Sequence, residues 1–159
     1  MPTSRTGLSI LVIDDDPDFL DLLSIELRTL GYVFHAHDAE QAIHHLTHRQ
    51  FDLVVSDWAI AAKTAPEIFI YADSLVVCAV TKSLIKVPVI FISGSEKVEA
   101  TQRLTRMKNF EAVAFILKSL GPPLIGSMAE NVLRRAYATR SMRPAQKAKR
   151  HKALGQLCT

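Results

Sequence analysis

The chain has little cysteine. Cys78 and Cys158 are the only two in 159 residues, which gives neither a disulfide framework nor a metal-ligand spacing, so a reducing, cytoplasmic setting is expected. Met1 to Gly7 carries Arg5 and no apolar run before Leu8, so no secretory signal is expected. The longest apolar-looking stretch, Ile68 to Val80, is broken by Asp73 and falls short of the ~20 residues a membrane helix needs. No segment repeats, and none reads as a second domain. Acid is missing from the C-terminal end. Nothing beyond Glu130 is acidic, whereas residues 134–152 hold eight of the 19 lysines and arginines. The first 133 residues therefore carry 11 basic against 16 acidic groups, a balance of −5. The body is acidic and the tail is basic.

What is present suits one soluble domain with a proper core: 48% of residues are hydrophobic and 22% charged. Ile10-Leu11-Val12-Ile13 reads as a buried strand, followed by Asp16-Pro17 as a helix start with an N-cap carboxylate. Phe19, Leu22, Leu23, Leu27 and Leu30 recur at helical spacing, and Gly31 is expected to end that helix. Tyr32 to Ala36 is a short strand. Asp38 caps a second helix with Ala39, Ala42, Ile43 and Leu46 inward. Phe51 to Asp57 is a third strand. Thr64-Ala65-Pro66-Glu67 fits a capping box, so a helix is expected over the stretch through Val80 despite its β-branched residues. Pro88 to Ser93 is a fourth strand, Glu96 to Lys108 a polar helix, Ala112 to Leu117 a fifth strand. Pro122 or Pro123 opens a last helix with Ile125, Met128, Val132 and Leu133 as its stripe. Strands that are apolar throughout and alternate with helices imply a parallel sheet covered on both faces, a doubly wound α/β fold. The domain is expected over residues 8–138, with a flexible basic tail over 139–159.

Chemistry gathers at the C-terminal strand ends, where open α/β sheets place their ligands. Asp14 and Asp15 follow the first strand, Asp57 closes the third, Ser93 closes the fourth and Lys118 follows the fifth. Carboxylates crowded there repel unless a cation sits among them. Mg²⁺ needs only one or two carboxylates beside water and phosphate oxygens, so Asp15 and Asp57 could ligate it with Asp14 acting through water. Asp57 could attack a phosphoryl group as a carboxylate nucleophile. Lys118 would balance the charge, and Ser93 offers a hydroxyl to a phosphoryl oxygen.

With Asp14-Asp15-Asp16-Pro17, Asp57, Ile90-Phe91-Ile92-Ser93-Gly94 and Phe115-Ile116-Leu117-Lys118 in this order, the chain resembles the receiver domain of two-component response regulators in its single-domain form. The resemblance covers about residues 8–138. It implies a flavodoxin-like fold of five parallel strands and five helices, and a Mg²⁺ site of Asp14, Asp15 and Asp57. It also implies phosphorylation of Asp57 by a histidine kinase or phosphotransfer protein. Ser93 would be the switch hydroxyl, Phe115 the aromatic switch and Lys118 the site lysine. Partners, or a second copy in a homodimer, would dock on the face of the fourth helix, fifth strand and fifth helix. The activity implied is that of a switch, with at most slow self-dephosphorylation.

Three positions depart from the family pattern. Trp58-Ala59-Ile60-Ala61-Ala62-Lys63 lacks the usual proline and glycine after the acceptor. The interval from Asp57 to Ser93 (93 − 57 = 36) is long. Ser119 replaces the proline after Lys118, and a cis bond before serine costs roughly 2.5–4 kcal/mol, so a displaced lysine is expected. These departures motivate a rival reading, a receiver-like docking module that works without phosphorylation. A more remote one is an aspartate-nucleophile phosphatase of the haloacid-dehalogenase type, which wants a second Asp where Ala59 stands. His44 and His48, four apart on a helix, read as a solvated face. The basic tail could bind nucleic acid or an anionic membrane, dock on the acidic body, or remain solvated.

Overall fold

The structure, a computed structural model, describes residues 7–75, 86–94 and 106–155, and of 139–155 the backbone alone. In chain order the elements are β1 Ser9–Ile13, α1 Pro17–Leu27, β2 Tyr32–Ala36, α2 Ala39–His48, β3 Leu53–Asp57, β4 Ala59–Ile60, β5 Lys63–Thr64, α3 Ala65–Leu75, β6 Val87–Ser93, β7 Phe110–Leu117 and α4 Pro122–Gly155. The expected polar helix over Glu96–Lys108 lies almost wholly outside the described residues, as does the stretch after Leu75.

One parallel sheet has the order β2-β1-β3-β6-β7, the flavodoxin-like arrangement. Alternate residues of its central strands point to opposite faces, and both faces are dry. On one, Ile10, Val12, Leu53, Val55, Ile90 and Ile92 meet Leu20, Leu23 and Leu27 of α1 and Ile125, Ala129 and Leu133 of α4. On the other, Leu11, Ile13, Val54, Val89 and Phe91 meet Ala42 and Leu46 of α2 and Ile68, Phe69 and Ala72 of α3. This is why the central strands read as continuous apolar runs.

The caps follow the sequence. Asp16 accepts from the amides of Asp18 and Phe19, and Asp38 from that of Gln41. Glu67 accepts from both the amide and the hydroxyl of Thr64 at 2.7 and 2.9 Å, which draws its carboxyl below the usual range. Three expectations need correction. The buried side of α1 is Leu20, Leu23, Ser24 and Leu27, whereas Leu22 is exposed. α1 ends at Leu27, and Gly31 serves a different purpose: a Cβ there would lie 2.6 Å from the Leu8 carbonyl oxygen. Finally, α4 does not stop where the tail was expected but continues as one helix to Gly155.

Two local features position the site. After Asp57 the chain forms a two-stranded hairpin, β4–β5, turning on Ala61-Ala62 with Ala61 at φ 53°. In β7, Val89 pairs with Ala112 but Ile90 with Ala114, so Val113 is the extra residue of a bulge. The bulge returns Phe115 to the face of Phe110 and Ala112, beside Phe91.

Candidate functional site

β1 runs out just before Asp14 and Asp15, β3 ends on Asp57, β6 ends on Ser93, and Lys118 follows β7 at the start of a 3-10 turn through Leu120. Because these four strands are adjacent and parallel, their ends meet at one edge. Asp14, Asp15 and Asp57 each bring a carboxylate oxygen to within 4.8 Å of the others. Asp14 and Asp57 are buried and Asp15 is exposed.

Lys118 reaches between the two buried acids. Its Nζ lies 2.7 Å from Asp14 Oδ2 and donates to Asp57 Oδ2 at 2.8 Å. No cis bond occurs among the described residues, so the Lys118-Ser119 bond is trans, and the lysine reaches both buried acids through it. The ring of Phe19 lies 4.8 Å below the ammonium, within cation–π range. Ser93 is buried at the end of β6, in register with Leu117.

Asp14 Oδ1 accepts the Asp16 amide at 2.9 Å. Asp14 Oδ2 is buried, with the Lys118 ammonium against it at 2.7 Å. Burial pushes the Asp14 carboxyl above its ordinary range and the charge of Asp57 adds to this, against the opposing pull of Lys118 and the Asp16 amide. Burial alone would lower the Lys118 ammonium, but its hydrogen bonds and charge pairing with Asp14 and Asp57 outweigh burial and raise it. The lysine is therefore a fixed cation. Three carboxylates against one ammonium leave a formal −2. Hard oxygen donors within 4.8 Å of one another and that net charge fit a small divalent cation such as Mg²⁺.

The aromatic wall was legible only in part. Phe115 stacks on Phe91 at 5.3 Å and meets Trp58 edge-on at 5.7 Å, and it is 42% exposed. The Trp58 amide donates to the Ile92 carbonyl at 2.7 Å, and its carbonyl accepts from Ala65 at 2.7 Å, so Trp58 is tied between β6 and α3. Two contributors escaped the sequence. Phe19 looked like one more apolar residue of a helical stripe. The Ala61 amide, which donates to Asp15 Oδ2 at 3.0 Å, has no side-chain signal at all. His44 and His48 are exposed and stacked on each other at 4.4 Å, away from the acids.

Fold and site together define a flavodoxin-like α/β domain with an acidic, lysine-balanced pocket at the C-terminal edge of its sheet. The chain belongs to the response regulator receiver domain family, whose model matches residues 10–130. Among solved structures it is similar to a CheY-like receiver domain protein from Methanospirillum hungatei JF-1, at 22% identity and TM-score 0.65, over 83% of this chain and 98% of that one. It is also similar to a chemotaxis response regulator of Vibrio cholerae, at 20% identity and TM-score 0.60, over 79% and 98%. The N-terminal domain of a response regulator/sensory box/GGDEF three-domain protein from Carboxydothermus hydrogenoformans matches at 16% and 0.65, over 82% and 98%. At these identities the likeness is one of fold.

Proposed function

We propose that the chain is a phosphorylation switch in which Asp57 accepts a phosphoryl group from a histidine kinase or phosphotransfer protein in the cytoplasm. The observation that carries this reading is the Lys118 ammonium between Asp14 and Asp57, at 2.7 and 2.8 Å, beside the three clustered carboxylates of Asp14, Asp15 and Asp57. An Asp57 carboxylate oxygen attacks phosphorus, the new O–P bond forms, and the P–N bond to the donor imidazole breaks. Asp14, Asp15 and Asp57 would hold Mg²⁺, which when bound neutralises charge on the phosphoryl oxygens. Lys118, already fixed by both buried acids, is placed to pair with a phosphoryl oxygen once Asp57 Oδ2 no longer needs it.

Ser93 then offers its hydroxyl to the phosphoryl group, and Phe115, 42% exposed beside Phe91 and Trp58, can move into the space that Ser93 leaves. Phosphorylation thus biases two arrangements of one surface rather than creating a new fold. That surface carries Val113, Phe115, Leu120 and Leu124, all exposed, along β7 and the start of α4, and it would receive the downstream partner or a second copy.

The test is incubation with Mg²⁺ and acetyl phosphate followed by intact mass. One base-labile phosphoryl group should be added and should be lost with Asp57→Ala; no addition to the parent chain would refute the reading. The phosphorylation-independent docking module has one observation in its favour, the Ala61 amide that engages an oxygen of Asp15. Titration with Mg²⁺ followed by Trp58 fluorescence separates the two: a response at millimolar Mg²⁺ supports the switch, and silence supports the docking module.

A further inference from the structure

The described part of α4 runs for 34 residues, Pro122–Gly155, far longer than the sheet it covers. Its inward residues Ile125, Ala129 and Leu133 belong to the core, and Tyr137 makes a further contact, its hydroxyl 3.3 Å from Asp52 Oδ1. The next 17 residues, 139–155, continue the same helix, adding about 26 Å at 1.5 Å per residue.

Within this extension stand Arg140, Arg143, Lys147, Lys149, Arg150 and Lys152, and not one acidic residue. Six positive charges over residues 140–152 amount to one per roughly 3.3 Å of helix axis, against one phosphate per ~3.4 Å along a nucleic-acid strand. At about 100° per residue Arg140, Arg143, Lys147 and Arg150 fall within an arc of about 80°, a basic stripe along the helix, with Lys149 and Lys152 on other sides. The only large apolar residues of the extension are Met142 and Leu154, twelve apart, with no aromatic among them. A helix that lies in a membrane interface needs an apolar face with Trp, Phe or Leu to bury, and this one has none. Docking back on the body is opposed by the course of the chain, since α4 continues past the sheet as one helix to Gly155 instead of turning back. The charge density and the missing apolar face both favour a polyanion whose charges repeat along a line.

We propose that residues 140–152 form a sequence-independent binding element for the phosphate backbone of nucleic acid, carried on the last helix of the receiver domain. Arginine and lysine held on one helix release counterions from the strand on contact, which makes affinity steeply salt-dependent and insensitive to base sequence. The proposal does not depend on phosphorylation of Asp57.

The experiment measures fluorescence anisotropy of a labelled, mixed-sequence 20-nucleotide single strand with the full chain at 50 and 200 mM KCl. It is repeated with the quadruple variant Lys147→Gln, Lys149→Gln, Arg150→Gln, Lys152→Gln. With four to six phosphates engaged, log K should fall against log [salt] with a slope of about −3 to −4, so affinity drops at least about 50-fold across this range. The quadruple variant should bind at least ~10-fold more weakly at 50 mM, while its far-UV circular dichroism and urea midpoint stay those of the parent. Sedimentation with vesicles of mixed phosphatidylcholine and phosphatidylserine at 200 mM KCl is expected to leave the chain in the supernatant. No binding at 50 mM, parental binding by a folded variant, or sedimentation with vesicles at a salt that abolishes oligonucleotide binding would each overturn the proposal.

Discussion

Lys118 stands between two buried acids, and its removal tests the site through stability alone. Lys118→Met leaves Asp14 and Asp57 facing each other without a cation, and breaking a buried pair from one side costs several kcal/mol. The lysine side chain is 21% exposed, so the smaller figure of about 2–3 kcal/mol is expected in a urea titration without metal. Millimolar Mg²⁺ should restore more of the variant's stability than it adds to the parent, because a ligand that binds only the folded state stabilises in proportion to its affinity. Equal Mg²⁺ effects on both would mean that the three carboxylates do not form one site. Gly31 makes a second residue-scale case. A Cβ there would meet the Leu8 carbonyl oxygen at 2.6 Å and Leu8 Cβ at 2.8 Å, and the same carbonyl already accepts the Tyr32 amide at 2.8 Å. Backbone pinned in this way cannot retreat cheaply, so Gly31→Ala should lower the urea midpoint by an amount worth about 1–3 kcal/mol. A midpoint equal to the parent's would show that the Leu8 backbone yields.

At the scale of elements, the β7 bulge decides which way the end of the strand faces. Val113 is the unpaired residue, so deleting it would restore regular alternation and leave Ala114, Phe115 and Ile116 opposite Ile90, Phe91 and Ile92 as they stand. Forcing Val113 into the ladder instead would turn Phe115, Ile116 and Leu117 to the opposite face and take Ile116 out of the core it shares with Ile90 and Ile92. The deletion should therefore keep any Mg²⁺ response of Trp58, and a lost response would show that the bulge itself shapes the site. The bulge also shows what the sequence could reveal. Strands buried on both faces, β1, β3 and β6, announce themselves as short apolar runs, and their terminal acids are readable because position along a strand fixes where a residue emerges. The edge strand β7 alternates poorly and carries one extra residue, which no local pattern reports. The β4–β5 hairpin was illegible for a similar reason: its turn is built of Ala61-Ala62, without the glycine or asparagine that marks a two-residue turn, and its bond to Asp15 comes from a backbone amide. The helical nature of the last basic stretch was hidden by Pro144, an unfavourable residue inside a helix.

The whole molecule sets the pH dependence of stability, because unfolding releases every titrating group at once. His45 packs edge-on against Phe34 and Phe51 with its Nδ1 buried and unpartnered. Burial lowers its pKa from the ordinary 6.5 and outweighs a backbone hydrogen bond to His35 that opposes it, and the charges of Arg49 and His44 add to the lowering. His35 is lowered as well, first by burial and then by His37 and Arg28. Both rings thus bind protons less readily when folded than when unfolded. As pH falls below about 6.5 the unfolded chain takes up protons that the folded one refuses, so stability is full above that point and declines below it. Urea midpoints measured at pH 8, 7, 6 and 5.5 should be level between the first two and then fall. His45→Phe, which keeps the aromatic contacts and removes the titrating group, should flatten part of the decline. Midpoints that hold or rise on acidification would mean that neither ring is kept neutral by the fold.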